Sequence, residues 1–351
     1  LQQLGYFFIV FIAAPLMIIT GPVMSPAVVG RFPWYAKMFG GRQAARSLHL
    51  IGMFIYLGFA IVHVGLVFIV HAPHNLTHIV FGYYDPSRVG QAYVTVIGTI
   101  IVVVALWIAM SYWTLTDTRR SQRILWDATR GIRRLTVDRF SSQQAAKKPW
   151  TEKDISKFHW VNTRTPSREE SPEYQELAAN DFADFRLEVG GMVSAPASFS
   201  LAELKAISSQ SQITMHTCMQ GWTGIAKWTG IRVRDLLAQV GQIDPEAGWV
   251  MFESFGMAQH MHDGRPVEPY YTCLPLDMAL EDDTILAWGR NDAPLSGMFG
   301  APLRLRCETS HGYKMIKWVR SVTLIRHYSE VGDGMGGTRE DSGYQDVNAR
   351  I

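Results

Sequence analysis

Three apolar stretches dominate the first third of the chain, at about Leu4 to Met24, Leu48 to Val70 and Ala92 to Trp113. Each approaches the roughly 20 residues that cross hydrocarbon as a helix. Pro15 and Pro22 interrupt the first stretch, a break that a membrane bundle tolerates because neighbours re-satisfy the freed backbone groups. Tyr112 and Trp113 suit the headgroup level at the end of the third. Beyond them the apolar period fades, and from about Ser141 to Asn180 the chain is polar and rich in Ser, Lys, Glu and Pro. That composition predicts a basic, then polar linker over 116–180 that packs on a neighbour. Shorter periods return near Phe182. Alternation over Phe185 to Val193 predicts a strand reaching a turn at Gly190 and Gly191; Leu201 to Ile207 and Val233 to Val240 read as short helices. Trp249 to Phe255, Leu303 to Cys307 and Val322 to Arg326 read as strands between Gly/Pro turns. The pattern therefore predicts a multidomain chain: an all-α transmembrane bundle over 1–115, then a mixed α+β, strand-rich domain over 181–330. Residues 331–351, rich in Gly and charge, are expected to be irregular and laid over a surface.

Charge divides along the same line. Residues 1–150 carry 14 Lys/Arg and 4 Asp/Glu, and residues 151–351 carry 19 and 27, so the overall +2 conceals +10 and −8. A basic half is the usual footprint of nucleic-acid binding. Here the cations flank bilayer-length segments, so membrane lipid is the expected partner and nucleic acid is not. The loop after the first segment holds Arg31, Lys37, Arg42 and Arg46, a run from Arg119 to Lys148 follows the third, and the intervening loop holds only Arg88. The positive-inside rule then places the first loop and the C-terminal domain on the cytoplasmic face of a bacterial inner membrane. Cys218, Cys273 and Cys307 make neither a Cys-x-x-Cys pair nor a disulfide framework, a count compatible with a reducing compartment. The chain opens at Leu1 inside an apolar run without a twin-arginine or cleavable signal, and an upstream segment is expected.

His49 and His63 lie fourteen residues apart on one predicted helix. Helical geometry separates them by roughly 21 Å and about 40° of azimuth. That spacing would hold two haems, one near each side of a bilayer, since imidazole is a usual axial ligand of haem iron. The alternative is a pair of interhelical hydrogen-bonding residues. The run Ala45 to His49 and the later Val62 to Val64 resemble the haem-carrying helix of the bacterial b-type cytochromes that serve hydrogenases and formate dehydrogenases. The resemblance covers about residues 1–115. It implies four transmembrane His ligands, two of them from other helices, and two b haems exchanging electrons with the quinone pool. The first and third segments contain no His, so the opposing ligands are expected upstream, unless the haem sites are degenerate. His71, His74 and His78 fall in the short loop on the far face, where they could line a quinol site, relay protons or simply be solvated.

Cys218 stands in the run HTCMQGWTGIAKWTG, residues 216–230. A thiolate is a soft ligand for a transition metal, whereas a buried Cys without one is a small hydrophobe. Strand-like Ile213 to Met215 delivers it to a turn, Gly221 and Gly224 permit close approach of backbone to a ligand, and Trp222 and Trp228 can wall a pocket. Three more runs follow in order: YYTCLPLDMAL from Tyr270, GAPLRL from Gly300 and HGYKMIKW from His311. Together they resemble the sulfite oxidase superfamily, most closely the bacterial branch that includes the molybdopterin-dependent protein-methionine-sulfoxide reductase. The resemblance spans about Phe182 to Arg326. It implies a sulfite oxidase-type molybdopterin-binding domain and a mononuclear molybdenum with Cys218 as the protein's thiolate ligand.

The same resemblance implies that the Tyr270 phenol hydrogen-bonds an oxo group or substrate, and that Arg304, Lys314 and Lys317 grip the pterin's phosphate. An ordinary strand aromatic and surface salt bridges are the respective alternatives. His216 is near enough to Cys218 to bond the pterin or orient its loop, or it simply packs. His260 and His262 precede the tyrosine block and could face the pocket. Gln220 stands where the methionine-sulfoxide-reducing relatives carry a carboxylate, and the arginines that follow the metal cysteine in sulfite oxidases are missing. Asn162 is the candidate for the asparagine that approaches the metal. The expectation is a membrane oxidoreductase that transfers an oxygen atom to or from a small substrate, coupled through b haems to the quinone pool. The alternatives are a sulfite-type dehydrogenase of the same architecture and a non-enzymatic membrane electron carrier or sensor.

Overall fold

The computed structural model describes residues 2–25, 28–29, 32–117, 150–220, 222–258 and 268–342, with isolated positions between 120 and 132. The chain divides into two compact units, Leu1–Arg134 and Leu135–Ile351. In the first, α1 (Gln2–Phe8) runs through a widened π turn at Ile9–Ala13 into α2 (Ala14–Thr20). The widened turn sits where Pro15 has no N–H to donate to the turn before it. A short α3 (Pro33–Met38) precedes α4 (Arg42–Ile69), α5 (Ala72–Phe81) and α6 (Val89–Thr116). Three helical stretches, Gln3–Met24, Arg42–Ile69 and Pro86–Thr116, are long and apolar enough to cross a membrane. Their outward faces, including Leu57, Ile61, Ile101 and Trp107, are exposed. So much bare apolar surface needs lipid rather than water to cover it.

The segment expected as a loop around His71, His74 and His78 is largely helical. His71 adopts a left-handed conformation at the N-terminus of α5, Pro73 occupies its first turn, and Gly82 closes it with a positive φ. Asn75 Nδ2 donates to the carbonyls of Val67 and Val70, at 3.2 and 2.7 Å, satisfying groups at the end of α4. Sequence reading missed this helix because its ten residues are too few for a clear apolar period.

Among the described residues the second unit holds ten strands: β1 (Arg186–Gly191), β2 (Ala197–Ser200), β3 (Gln210–Thr217), β4 (Thr223–Arg232), β5 (Trp249–Met257), β6 (Pro269–Pro275), β7 (Ile285–Arg290), β8 (Ala293–Pro294), β9 (Arg304–Arg306) and β10 (Val319–Ile325). They form two sheets, one ordered β2-β1-β10-β5-β6 and one β3-β4-β7-β8 with β9 added on β7. Only β1 and β10 pair in parallel; the other pairings are antiparallel. Helices α7 (Pro172–Ala179), α8 (Leu201–Ile207), α9 (Val233–Leu237) and α10 (Leu276–Ala279) punctuate the strands. Ser200 caps α8 through a reciprocal capping box with Glu203. Phe185, Leu187, Ile231, Phe252, Leu286 and Val322 belong to one buried cluster. Each such side chain contributes about 1.5–3 kcal/mol through burial.

Two segments flanking the strands pack into this unit. The C-terminal part of the expected linker packs into this unit: Ser156 N–H donates to Ile225 O at 3.0 Å, and Ser156 Oγ accepts from Ile225 N at 2.9 Å. Residues 331–342 are not merely laid over a surface. They end in a short helix, α11 (Thr338–Asp341), whose Glu340 is buried against the fully buried Lys314. Lys314 Nζ also donates to Cys273 O and Gly336 O, at 3.1 and 3.2 Å. Burial pushes the Glu340 carboxyl above its usual range, and the Lys314 cation opposes that rise. Glu340→Ala, which strands a buried ammonium, is expected to destabilise the unit by about 3–5 kcal/mol, and the paired change Lys314→Met with Glu340→Leu to recover most of it. Thermal unfolding of the detergent-purified protein measures both.

Candidate active site

β3 and β4 form a hairpin with His216 opposite Gly224 and Thr217 opposite Thr223. Its tip is closed by the Cys218 N–H donating to Trp222 O at 2.9 Å. The buried Cys218 thus stands at the end of a rigid ladder, and it lines a cavity of about 360 Å³. Asn162 Nδ2 donates to its Sγ at 3.4 Å, and the Gln220 N–H does so at 3.5 Å. Gln220 Oε1 accepts from Trp222 Nε1 at 3.2 Å, which fixes the amide over the hairpin tip.

The cavity gathers side chains from distant parts of the unit. Cys218, Gln220, His216, Tyr270, Arg304 and Lys317 all line it, as do Asn162 and His159. Tyr270, on β6, donates from its hydroxyl to Tyr313 O at 3.3 Å. Lys317 Nζ donates to Asn162 O, Thr163 O and Met298 O at 2.7, 2.9 and 3.0 Å, so it clasps the strand of chain that carries Asn162. Burial, seconded by Arg304, lowers the Lys317 ammonium to about 7. Lys314 is absent from the cavity lining, being held by Glu340 and two carbonyls instead. Gly221, His260 and His262 lie outside the described residues.

Under the cavity lies a fully buried ion pair. Arg306 donates to both oxygens of Glu308, from Nε to Oε1 at 2.9 Å and from Nη2 to Oε2 at 2.6 Å. Its Nη1 meets His216 Nδ1 at 2.9 Å. A guanidinium can only donate, so Nδ1 is an acceptor and the His216 proton sits on Nε2. Burial first, then Arg306, holds the His216 imidazole well below its usual range and keeps it neutral. His159, 7% exposed, packs against the rings of His216, Trp222, Trp228 and Phe299. Burial, followed by Arg290, Arg304 and Arg306, lowers it to about 3. Gly224 makes room for it: a Cβ there would stand 2.8 Å from His159 Nδ1. The glycine thus serves a neighbouring histidine, where sequence reading expected it to serve a ligand directly. Arg304, 8% exposed, donates from Nη1 to Phe299 O at 3.1 Å. Its Nε has no hydrogen-bond partner among the described residues. Burial, then Arg306, lowers it to about 9.

Sequence reading overlooked His159 and Arg306. His159 sits between Phe158 and Trp160, an aromatic cluster inside a polar stretch, and Arg306 and Glu308 are opposite charges two apart at the end of a largely apolar run. Both were usable signals.

The oxidoreductase molybdopterin binding domain profile matches residues 174–331. YuiH of Bacillus subtilis, an uncharacterized oxidoreductase, is 31% identical over 148 residues, which is 42% of this chain and 68% of YuiH. The chain belongs to the molybdopterin-binding oxidoreductase family. MsrP of Xanthomonas axonopodis pv. citri, a protein-methionine-sulfoxide reductase catalytic subunit, is 32% identical over 148 residues, 41% of this chain and 46% of that protein. YedZ1 of Azospira oryzae, named by inference as a protein-methionine-sulfoxide reductase subunit, is 33% identical over 169 residues, 48% of this chain and 57% of its own. The chain spans about half the length of these two relatives.

The cavity of this molybdopterin-binding oxidoreductase fits the cofactor its family name implies. It offers one soft sulfur ligand at Cys218 and, at Arg304, a buried guanidinium N–H awaiting an acceptor. In the membrane unit His49 and His63 both fall on α4, and Nδ1 of each meets a hydroxyl: Thr20 Oγ1 at 2.9 Å and Tyr6 at 3.0 Å. Nε2 of each ring takes no part in those bonds.

A multi-pass inner-membrane arrangement stands, but the cytoplasmic placement of the catalytic domain does not. The protein-methionine-sulfoxide reductase relatives place that domain on the periplasmic side. The charge rule is a statistical bias, and this chain departs from it: the short basic loop after the first span shares the face of the domain.

Because His159 is neutral in the fold down to about 3 yet titrates near 6.5 when unfolded, the unfolded chain binds more protons between those values. The contribution of His159 to stability is therefore full above pH 6.5 and falls as pH drops toward 3. The thermal midpoint should decline across that window, and less steeply in His159→Gln.

Proposed function

We propose that this protein is a membrane-bound oxidoreductase that reduces S-oxide substrates by oxygen-atom transfer, with b haems on His49 and His63 linking it to quinol. The observation that carries the reading is the Cys218 thiol fixed at a hairpin tip and opening on a cavity that Arg304, Lys317 and Tyr270 also line. A bound molybdopterin supplies two-electron oxygen-atom chemistry and the haems supply one-electron relay, neither of which any side chain here offers.

The chain's own residues position and bind. Cys218 furnishes the thiolate ligand, steadied by the Asn162 amide and the Gln220 N–H. Arg304 would hold the pterin's phosphate with its unpartnered Nε in a site sheltered from water, and Lys317 would join it by releasing one of its three backbone carbonyls. The Tyr270 hydroxyl, now on a backbone carbonyl, is a proton-bearing group that can turn to a substrate oxygen. Trp160, Met219 and Trp222 make part of the lining apolar. An uncharged S-oxide suits such a wall better than a sulfite dianion, which would lose its hydration without a guanidinium pair beside the cysteine.

A sulfite-type dehydrogenase is the second reading. It is favoured by the arginines stacked around Trp228, where the guanidinium carbons of Arg290, Arg304 and Arg306 lie 5.9, 5.3 and 4.5 Å from the ring centroid.

Elemental analysis and turnover test the proposal together. Full-length protein from a cofactor-competent host is expected to hold about one molybdenum per chain and to reduce S-oxides with a reduced electron donor. Cys218→Ser should abolish turnover and weaken or alter the metal signal. Sulfite oxidation with an electron acceptor, without S-oxide reduction, would select the second reading. Protein without molybdenum would remove the enzyme altogether.

A further inference from the structure

The contact between α2 and α4 is unusually close around His49. Gly52 follows His49 by three residues on the same face of α4 and is buried; a Cβ there would stand 2.5 Å from Met17 Sδ. Lacking a side chain, Gly52 lets α2 settle onto α4 one helical turn from the histidine. That approach brings the fully buried Thr20 to His49, with 2.9 Å between Oγ1 and Nδ1.

Chemistry fixes the direction of this hydrogen bond. Thr20 Oγ1 carries one proton, and it lies 2.6 Å from Leu16 O, an acceptor with no proton to give. Two oxygens that close need the hydroxyl proton between them. The hydroxyl therefore donates to Leu16 O and can only accept from His49, so His49 carries its proton on Nδ1 and presents Nε2 as a lone pair. The second histidine is not so constrained. Tyr6 meets His63 Nδ1 at 3.0 Å with a hydroxyl that can donate or accept.

We propose that Thr20 is a positioning residue for the haem ligated by His49: it selects the tautomer that ligates through Nε2 and, by accepting the Nδ1 proton, makes the imidazole a stronger electron donor to iron. This rests on the reading of His49 as a haem ligand and goes beyond it. An outer hydrogen bond of this kind orients the ring and raises its basicity. Stronger donation favours the ferric state, so the midpoint potential of the His49 haem lies lower than it would without the acceptor. Thr20 meets His49 and not His63, so its effect is confined to one haem.

The test is a redox titration of the haem absorbance in full-length, detergent-purified protein, after haem content is measured for each variant. Thr20→Val keeps the shape and removes the acceptor; it should raise the midpoint of one haem component and leave any other unchanged. Thr20→Ser keeps the hydroxyl and should restore the wild-type midpoint. Thr20→Ala is a second removal and should reproduce the shift if the valine variant folds poorly. Full haem content with unshifted midpoints in both removal variants overturns the role of Thr20 and leaves the haem reading standing. Wild-type protein without a b-haem spectrum overturns both, and the initial haem measurement distinguishes that case.

Discussion

The cavity depends on one buried cation. Arg306 is wholly removed from solvent, and a guanidinium in that position is tolerable only because every side of it is engaged. Glu308 neutralises it bidentately, His216 accepts from Nη1, and Thr214 Oγ1 accepts from Nη2 at 3.3 Å. Gln212 adds a bond to Glu308 Oε1 at 3.0 Å. These contacts staple β9 to β3, strands that are not neighbours in their sheet, and they do so beneath the hairpin tip that bears Cys218. Burial keeps the histidines above neutral, and the cation adds to that effect, second to burial at His216 and after Arg290 and Arg304 at His159. Such a pair earns little net stability against an apolar substitute, but it specifies one arrangement of the strands. That specificity fixes where the Cys218 thiol meets the cavity.

The parts of the fold that were legible in the sequence are those written as long periods. Bilayer-length apolar runs and alternating strands such as Arg186–Gly191 follow from local pattern alone. Cys218, Tyr270, Arg304 and Lys317 stood out because their ordered motifs resemble a known superfamily, and the structure brings all four to one cavity. What was not legible depends on partners far away in sequence. Lys314 looks like its neighbour Lys317, yet only the fold shows that a carboxylate from residue 340 meets one of them and a set of backbone carbonyls the other. His159 sat in a stretch whose polarity suggested a linker, and nothing local announced the arginines that surround it. Charge patterning failed for a different reason: it is a statistical bias of insertion, and here even the short basic loop after the first span lies on the face of the domain.

The two units are tuned by the same physical device, a second polar group that decides where an imidazole keeps its proton. In the catalytic unit a donor, Arg306, forces His216 to keep its proton on Nε2. In the membrane unit an acceptor, Thr20, forces His49 to keep its own on Nδ1. The consequences are opposite: the first ring has no lone pair facing away from its partner, and the second has one available for a metal.

The walls of the cavity come from opposite ends of the second unit: residues 159–163 precede its first strand, and Thr338, Arg339 and Ser342 follow its last. Asn162 reaches Cys218, and Lys317 reaches back to Asn162 and Thr163, so the cavity is complete only when both ends of the unit are packed against its middle. A cofactor seated there would tie those ends to the sheets, and its loss would loosen all three together.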